Sequence, residues 1–390
     1  MALPDLCVSK NRRPLRVLQN LEALTMQDYQ TEKKFDYTER LRAILAELPP
    51  FCGLYFRAHE TTTSILTRYG YAVDLRSFLQ FLTSGDVDGF PKMESKSFTL
   101  SDLNRVRSLD IELYLEHISL YQKQVQSGKK RVENQERAKA RKLSAIRSFF
   151  KYYYRQQLIE NNVAALVDTP KLHEKAIIRL DNNEVADLLD TAEFGEGLSK
   201  RKQSYHDATK VRDVAILTLF LGTGIRISEL VGIDLNDVDF ERDLFVVTRK
   251  GGNQETLAFG DEVRTALLAY QAERARITPL AGNESAFFLS MQRKRITTRA
   301  VENLVKKYAS VSTPLKKITP HKLRSTYGTM LYQESGDIYL VADVLGHKDV
   351  NTTRRHYAAM TEEKSRTATK YIHLRENDAP SDDSDTPQED

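Results

Sequence analysis

Cysteine is scarce in this chain of 390 residues. Only Cys7 and Cys52 occur, with no CxxC and no paired spacing. That excludes a disulfide framework and a structural zinc site, and it points to a reducing interior. Apolar runs are short, and none approaches the ~20 residues a membrane helix needs. The opening MALPDLCVSKNRRP has no apolar core of the kind a signal peptide carries. A cytoplasmic protein with no membrane partner is expected. There is no internal repeat, no GxxxxGK[ST] phosphate loop and no acidic cluster spaced for metal ligands. Neither a cofactor nor a metal is expected.

Charge is present in quantity but unevenly spread. Lys and Arg number 58 against 54 Asp and Glu, for a net +4. Seven acidic residues and no basic one lie between Glu376 and Asp390. With those seven set aside, the rest of the chain carries +11. A basic body of this kind suits a polyanion such as DNA. The tail, residues 375–390, is acidic, holds Pro and Ser and lacks aromatics, so disorder is expected there. It either keeps the protein soluble or competes with DNA for the basic surface.

The remaining chain reads as mainly α with a small β-hairpin. Residues 1–58 form an N-terminal helical extension in which YTERLRAILAEL is helical by period and stopped by Pro49 and Pro50. Residues 59–167 read as a small all-α bundle. Its helices lie in TTTSILTRYGYAVDLRSFLQFL, SLDIELYLEHISLYQ and ENQERAKARKLSAIRSFFKYYYRQQLI. The last of these has an apolar stripe from Leu143 to Tyr153, with Arg137, Lys139, Arg141, Lys142 and Arg147 around it. Those cations form either a solvated face or a DNA-binding surface. Residues 168–180 read as a linker, and 181–374 as a larger helical domain. Within it LFVVTR, KGGN and QETLAF give a hairpin with Lys250 at its tip.

Three stretches of this larger domain suggest chemistry. In TPHKLRSTYGT, Thr319 and Pro320 start a helix whose first turns carry His321 and Arg324. Two basic side chains at a terminus that already attracts anions suggest a phosphate, and a solvated turn is the alternative. In FLGTGIRISEL, a helix ends at Gly222 and another opens around Thr223 and Gly224. Arg226 then falls in its first turn, with Glu229 three residues on: an ion pair, or a phosphate-gripping arginine steadied by a carboxylate. In DVLGHKDVNTTRRHYAAM, Gly346 ends a helix, His347 follows, and Tyr357 comes after Arg354, Arg355 and His356.

Taken in order, GTGIRISEL, TRKGG, TPHKLRSTYGT and LGHKDVNTTRRHY resemble the catalytic domain of the tyrosine site-specific recombinases, the phage integrase and Xer family. The α-bundle before them is similar to the family's SAM-like core-binding domain. LRAILAELPPFCGLYF resembles the single-protein Xer branch of Gram-positive bacteria. The resemblance implies a two-domain DNA clamp acting on double-stranded DNA recombination sites. It implies Tyr357 as nucleophile, forming a 3′-phosphotyrosine, and Arg226 and Arg324 as the phosphate clamp. Lys250 would be the general acid, His321 would assist proton transfer, and His347 would bond a phosphate oxygen. Glu229 would support the pocket. It further implies a homotetramer on DNA, with a directionality factor or DNA translocase as a further partner and a nucleoid-associated location. Glu362–Leu374 would dock on a neighbouring subunit, with packing back on its own domain as the alternative. One departure is Ser325, where many relatives have histidine. A type IB topoisomerase, a telomere resolvase and a catalytically silent DNA-binding accessory protein are the competing readings.

Overall fold

Short polar side chains set where several helices begin. Ser64 accepts the Thr67 N–H at 3.3 Å, and Asp181 and Glu184 satisfy each other's backbone N–H at 2.9 and 3.0 Å. The computed structural model describes residues 29–125, 128–133, 136–171, 178–249, 252–346 and 350. It divides into two compact units, Met1–Lys175 and Ala176–Asp390.

The first unit holds α1 (Tyr29–Glu47), α2 (Cys52–Ala58), α3 (Ile65–Leu82), α4 (Leu100–Arg105) and α5 (Ser108–His117). Then come β1 (Leu120–Val125), β2 (Gly128–Glu133) and α6 (Glu136–Arg155). Leu41, Leu48, Cys52 and Tyr55 share one hydrophobic core with Leu75, Phe78, Phe149 and Tyr153. The packing is therefore continuous across residue 58, where the sequence suggests a boundary. Pro49 and Pro50 end α1, but Tyr153 Oη donates to the Phe51 carbonyl at 2.6 Å and draws the turn onto α6. Burial pushes the Cys52 thiol up to about 12, so it stays protonated and inert.

The unit is not all-α, as its sequence suggests. β1 and β2 pair antiparallel, from Leu120 opposite Glu133 to Val125 opposite Gly128. The polar alternation of LYQKQVQSGKKRVE suits a two-stranded ribbon, and α5 stops at His117 instead of running on to Gln122. Likewise α6 stops at Arg155, and Gln157 just beyond it takes φ 57°.

On α6, Lys142 Nζ and Arg141 Nη2 donate to Asp74 Oδ1 at 3.0 and 2.8 Å. Asp74 has no solvent exposure. A buried carboxylate left with half its cations costs stability. Lys142→Met is therefore expected to destabilise the protein by about 1–3 kcal/mol in urea unfolding. Arg137→Met, exposed on the same helix, should stay within about 0.5 kcal/mol of the parent.

The second unit comprises α7 (Asn182–Phe194), α8 (Lys200–Asp207), α9 (Lys210–Thr223), α10 (Ile227–Leu230), β3 (Val238–Asp239), β4 (Leu244–Thr248) and β5 (Gln254–Ala258). They are followed by α11 (Asp261–Arg274), α12 (Thr298–Ser312), α13 (Pro320–Ser335) and α14 (Ile338–Val344). The strands form one antiparallel sheet in the order β3-β4-β5, with Val247 opposite Glu255. The predicted hairpin is β4 and β5.

α9 is buried along most of its length and packs against α7, α11 and α13. Gly222 brings it close to α11: a Cβ there would lie 2.4 Å from Val263 Cγ2. Its first turn is fixed by Asp213, which accepts from Thr209, Arg212, Lys307 and Tyr308 at 2.7–3.1 Å and so ties α9 to α12. With its base thus anchored, the C-terminal end of α9 is a fixed platform for the turn into α10.

Candidate active site

α9 ends at Thr223, and Gly224 turns the chain in the left-handed region at φ 61°. A Cβ at Gly224 would lie 2.4 Å from Tyr327 Cδ1, so space as well as backbone demands glycine. This turn changes the position of Arg226. It is the N-cap of α10, with extended backbone, and does not sit in a helix's first turn as the spacing suggests. Its N–H donates to Glu229 Oε2 at 3.0 Å, and its Nη1 donates to Glu229 Oε1 at 2.8 Å. Glu229 is buried, so this carboxylate is a rigid support for the guanidinium.

Arg324 enters from α13, whose first helical residue is Pro320. It is buried and donates to the carbonyls of Gly224 and Leu345. Thr319 is the N-cap residue of α13 but makes no side-chain capping bond. His321 is exposed at the start of α13, and Ser325 Oγ donates to its carbonyl at 3.0 Å. Burial raises the Tyr327 phenol above its usual range, and the Arg324 charge opposes that rise.

α14 ends beside these arginines. Arg226 Nη2 donates to the Leu345 and Gly346 carbonyls at 3.2 and 3.1 Å. The terminal carbonyls of a helix lack partners within it and carry the negative end of its dipole, so cations gather there. A third guanidinium, that of Arg249, donates to Leu345 O and Glu229 Oε1, both at 3.4 Å. It also forks onto Glu255, Nε to Oε2 at 2.5 Å and Nη2 to Oε1 at 2.8 Å. Burial alone would lower the Arg249 pKa, but its bonds to Glu255 and the charge of Glu229 prevail and raise it.

Three guanidiniums thus gather around the carboxylates of Glu229 and Glu255 and the carbonyls at the end of α14. Arg226 is the most open of the three, with 33 % of its side chain exposed against 9 % for Arg249. This arrangement can grip a monoanion with charge-assisted bonds and stabilise further negative charge developing on it.

Of the residues named from sequence, Arg226, Glu229 and Arg324 are brought together. Lys250, His347 and Tyr357 lie outside the described residues, as do Glu362–Leu374 and the acidic tail. Arg249 escaped the sequence reading, though its signal was there. Phe245, Val247 and Arg249 alternate along β4 and just past it, and all three are buried. An arginine in register with a core-facing stripe needs an internal anionic partner.

The basic positions of α6 divide. Arg137 is exposed and Lys139 partly so. Lys142 is taken up by Asp74, and Arg141 pairs with the same carboxylate while staying half exposed. Arg147 donates to Thr169 Oγ1 at 2.7 Å and to the Ala164 and Val167 carbonyls. Lys142 and Arg147 therefore hold the first unit together and are not free surface cations. Among the described residues, no group of three or more His, Cys, Asp or Glu is placed to hold a metal ion.

Residues 179–364 match the family model described as the phage integrase family. The chain is 31 % identical over 337 residues to tyrosine recombinase XerS of Streptococcus mutans serotype c, covering 79 % of this chain and 92 % of that one. The chain belongs to the tyrosine recombinases. XerS of Lactococcus lactis subsp. cremoris (strain MG1363) is 29 % identical over 356 residues, covering 85 % of this chain and 97 % of its own. These relatives place the recombinase in the Xer branch, and they are neither type IB topoisomerases nor silent accessory proteins. It is an enzyme that cleaves and rejoins DNA with a tyrosine nucleophile. Its fold is similar to that of XerH site-specific recombinase bound to palindromic difH substrate, with TM-score 0.57, 17 % identity and coverage of 79 % and 80 % of the two chains.

The turn between α9 and α10 sets where Arg226 stands. Gly224→Ala adds a left-handed residue and a clash with Tyr327, so a loss of about 1–3 kcal/mol is expected in urea unfolding. DNA cleavage by the fraction that remains folded should fall as well.

Proposed function

We propose that Arg226 and Arg324 clamp the scissile phosphate of a double-stranded recombination site while Tyr357 attacks it. The observation that carries this reading is the meeting of both arginines at the end of α14, with Arg226 braced by Glu229. Tyr357 Oη forms a bond to phosphorus and the bond to the 5′ oxygen breaks, leaving a 3′-phosphotyrosine and a free 5′-hydroxyl. Lys250 gives the leaving oxygen its proton, and His321 assists removal of the proton from Tyr357. His347 bonds a phosphate oxygen, and Glu229 keeps Arg226 in place. Attack by a 5′-hydroxyl of the second duplex reverses the chemistry, so the bond energy is conserved.

Exchange of two duplexes requires four strand cleavages, and the reading extends to a homotetramer on DNA assembled through Glu362–Leu374. Residues 59–167 would form the core-binding domain of a clamp, with Arg137 and Lys139 on its DNA-facing side. The catalytic domain would span 181–374. With chromosomal DNA as its substrate, the protein would act in the cytoplasm, at the nucleoid, where a directionality factor or translocase would meet it. The outcome is integration or excision of a mobile element, or resolution of chromosome dimers.

A nicked suicide substrate tests the reading by trapping the covalent intermediate. Tyr357→Phe should bind this DNA like the parent and give no adduct, and an adduct from that variant would remove Tyr357 as nucleophile. Arg226→Ala and Arg324→Ala should each slow cleavage ~10²–10³-fold, as loss of a charge-stabilising donor does elsewhere. Near-normal cleavage by either would make it a purely structural residue.

A further inference from the structure

Arg249 has no part in the chemistry proposed for the clamp, yet it links three pieces of the site. Its fork on Glu255 ties it to the β4–β5 hairpin. Its Nη1 reaches Glu229 Oε1, the oxygen that also accepts from Arg226 Nη1. Its contacts with the Val344 and Leu345 carbonyls, at 3.5 and 3.4 Å, reach the end of α14 where Arg226 and Arg324 also bond. Gly346 makes room for it: at φ 58°, a Cβ there would stand 2.9 Å from Arg249 Cζ.

We propose that Arg249 is a positioning residue of the recombinase, acting through Glu229 to set the place of the Arg226 guanidinium. This rests on the reading of Arg226 as a phosphate clamp. Glu229 is nearly inaccessible to water and is shared by two cations, Arg226 partly exposed and Arg249 buried. Without the inner cation, the carboxylate draws Arg226 towards itself alone, and the outer guanidinium is misplaced where charge develops in the transition state. Glu255 keeps Arg249 from collapsing onto Glu229. The hairpin and the clamp are therefore held in one register by a single side chain.

The test compares single-turnover cleavage of two suicide substrates, one with the natural phosphodiester at the scissile position and one with a methylphosphonate. The methyl group removes the negative charge that the clamp offsets. On phosphodiester DNA, Arg249→Gln should slow cleavage ~10–10²-fold, the scale of a misplaced catalytic group, with DNA affinity little changed. On methylphosphonate DNA, its deficit against the parent should shrink to within about threefold, because the clamp then has little charge to stabilise. The double variant Arg226→Ala/Arg249→Gln should be no slower than Arg226→Ala, as expected of two residues on one path. Arg249→Lys keeps a cation beside Glu229 and should show the same selective loss in milder form, which serves if the glutamine variant folds poorly.

Equal slowing on both substrates, additive losses in the double variant, or no slowing at all would overturn the assignment. Arg226→Ala alone reports on the underlying reading. If its deficit is absent, or is not relieved by methylphosphonate, the clamp itself is wrong and the role of Arg249 falls with it.

Discussion

Glu229 is a buried carboxylate that cannot exist as an anion in the core without cations against it. That requirement organises this part of the second unit. Arg226 meets Glu229 from the N-cap of the short helix that carries it, and Arg249 meets it from just past the end of a strand. Both guanidiniums also seek carbonyls, and the end of α14 supplies them at Leu345 and Gly346. Arg324 completes the group by spanning Gly224 and Leu345. A helix end, a strand end and a tight turn are thus fixed around one carboxylate.

Such a site is pre-organised because its donors are bonded before substrate arrives. Each guanidinium has five N–H groups, so among the described residues the contacts of Arg226 with carbonyls and Glu229 leave donors that could meet an anion. Stabilisation of this kind needs little reorganisation when charge develops. Two glycines make the geometry attainable. Gly224 lets the chain turn against Tyr327, and Gly346 leaves space for Arg249. The anchoring of α9 through Asp213 holds the turn in place from the other end.

Much of this was legible in the chain. The order of GTGIRISEL, TRKGG and TPHKLRSTYGT pointed to Arg226, Glu229 and Arg324, and alternation with a Gly-Gly turn gave the β4–β5 hairpin. Local signals failed where a longer-range contact decides. Arg226 reads as helical by spacing, but the left-handed Gly224 makes it an N-cap. Arg141, Lys142 and Arg147 look alike on a helical wheel, yet Asp74, 67 and 68 residues away in sequence, draws in the first two. Carbonyls and a hydroxyl beyond α6 draw in the third. The β1–β2 ribbon has too few apolar residues to stand out from loop, and only its pairing defines it.

The central claim is that the arginine group around Glu229 faces the phosphorus under attack. Orthovanadate, added with DNA nicked at the scissile position, can bridge the tyrosine and the DNA end as a pentacoordinate mimic of the transition state. A crystal structure of that complex tests the claim most directly. The expected result is a vanadate with Arg226 and Arg324 both within hydrogen-bond distance of its equatorial oxygens, and with Glu229 still bonded to Arg226 and Arg249. A vanadate bound to DNA and tyrosine with neither arginine in reach would contradict the account.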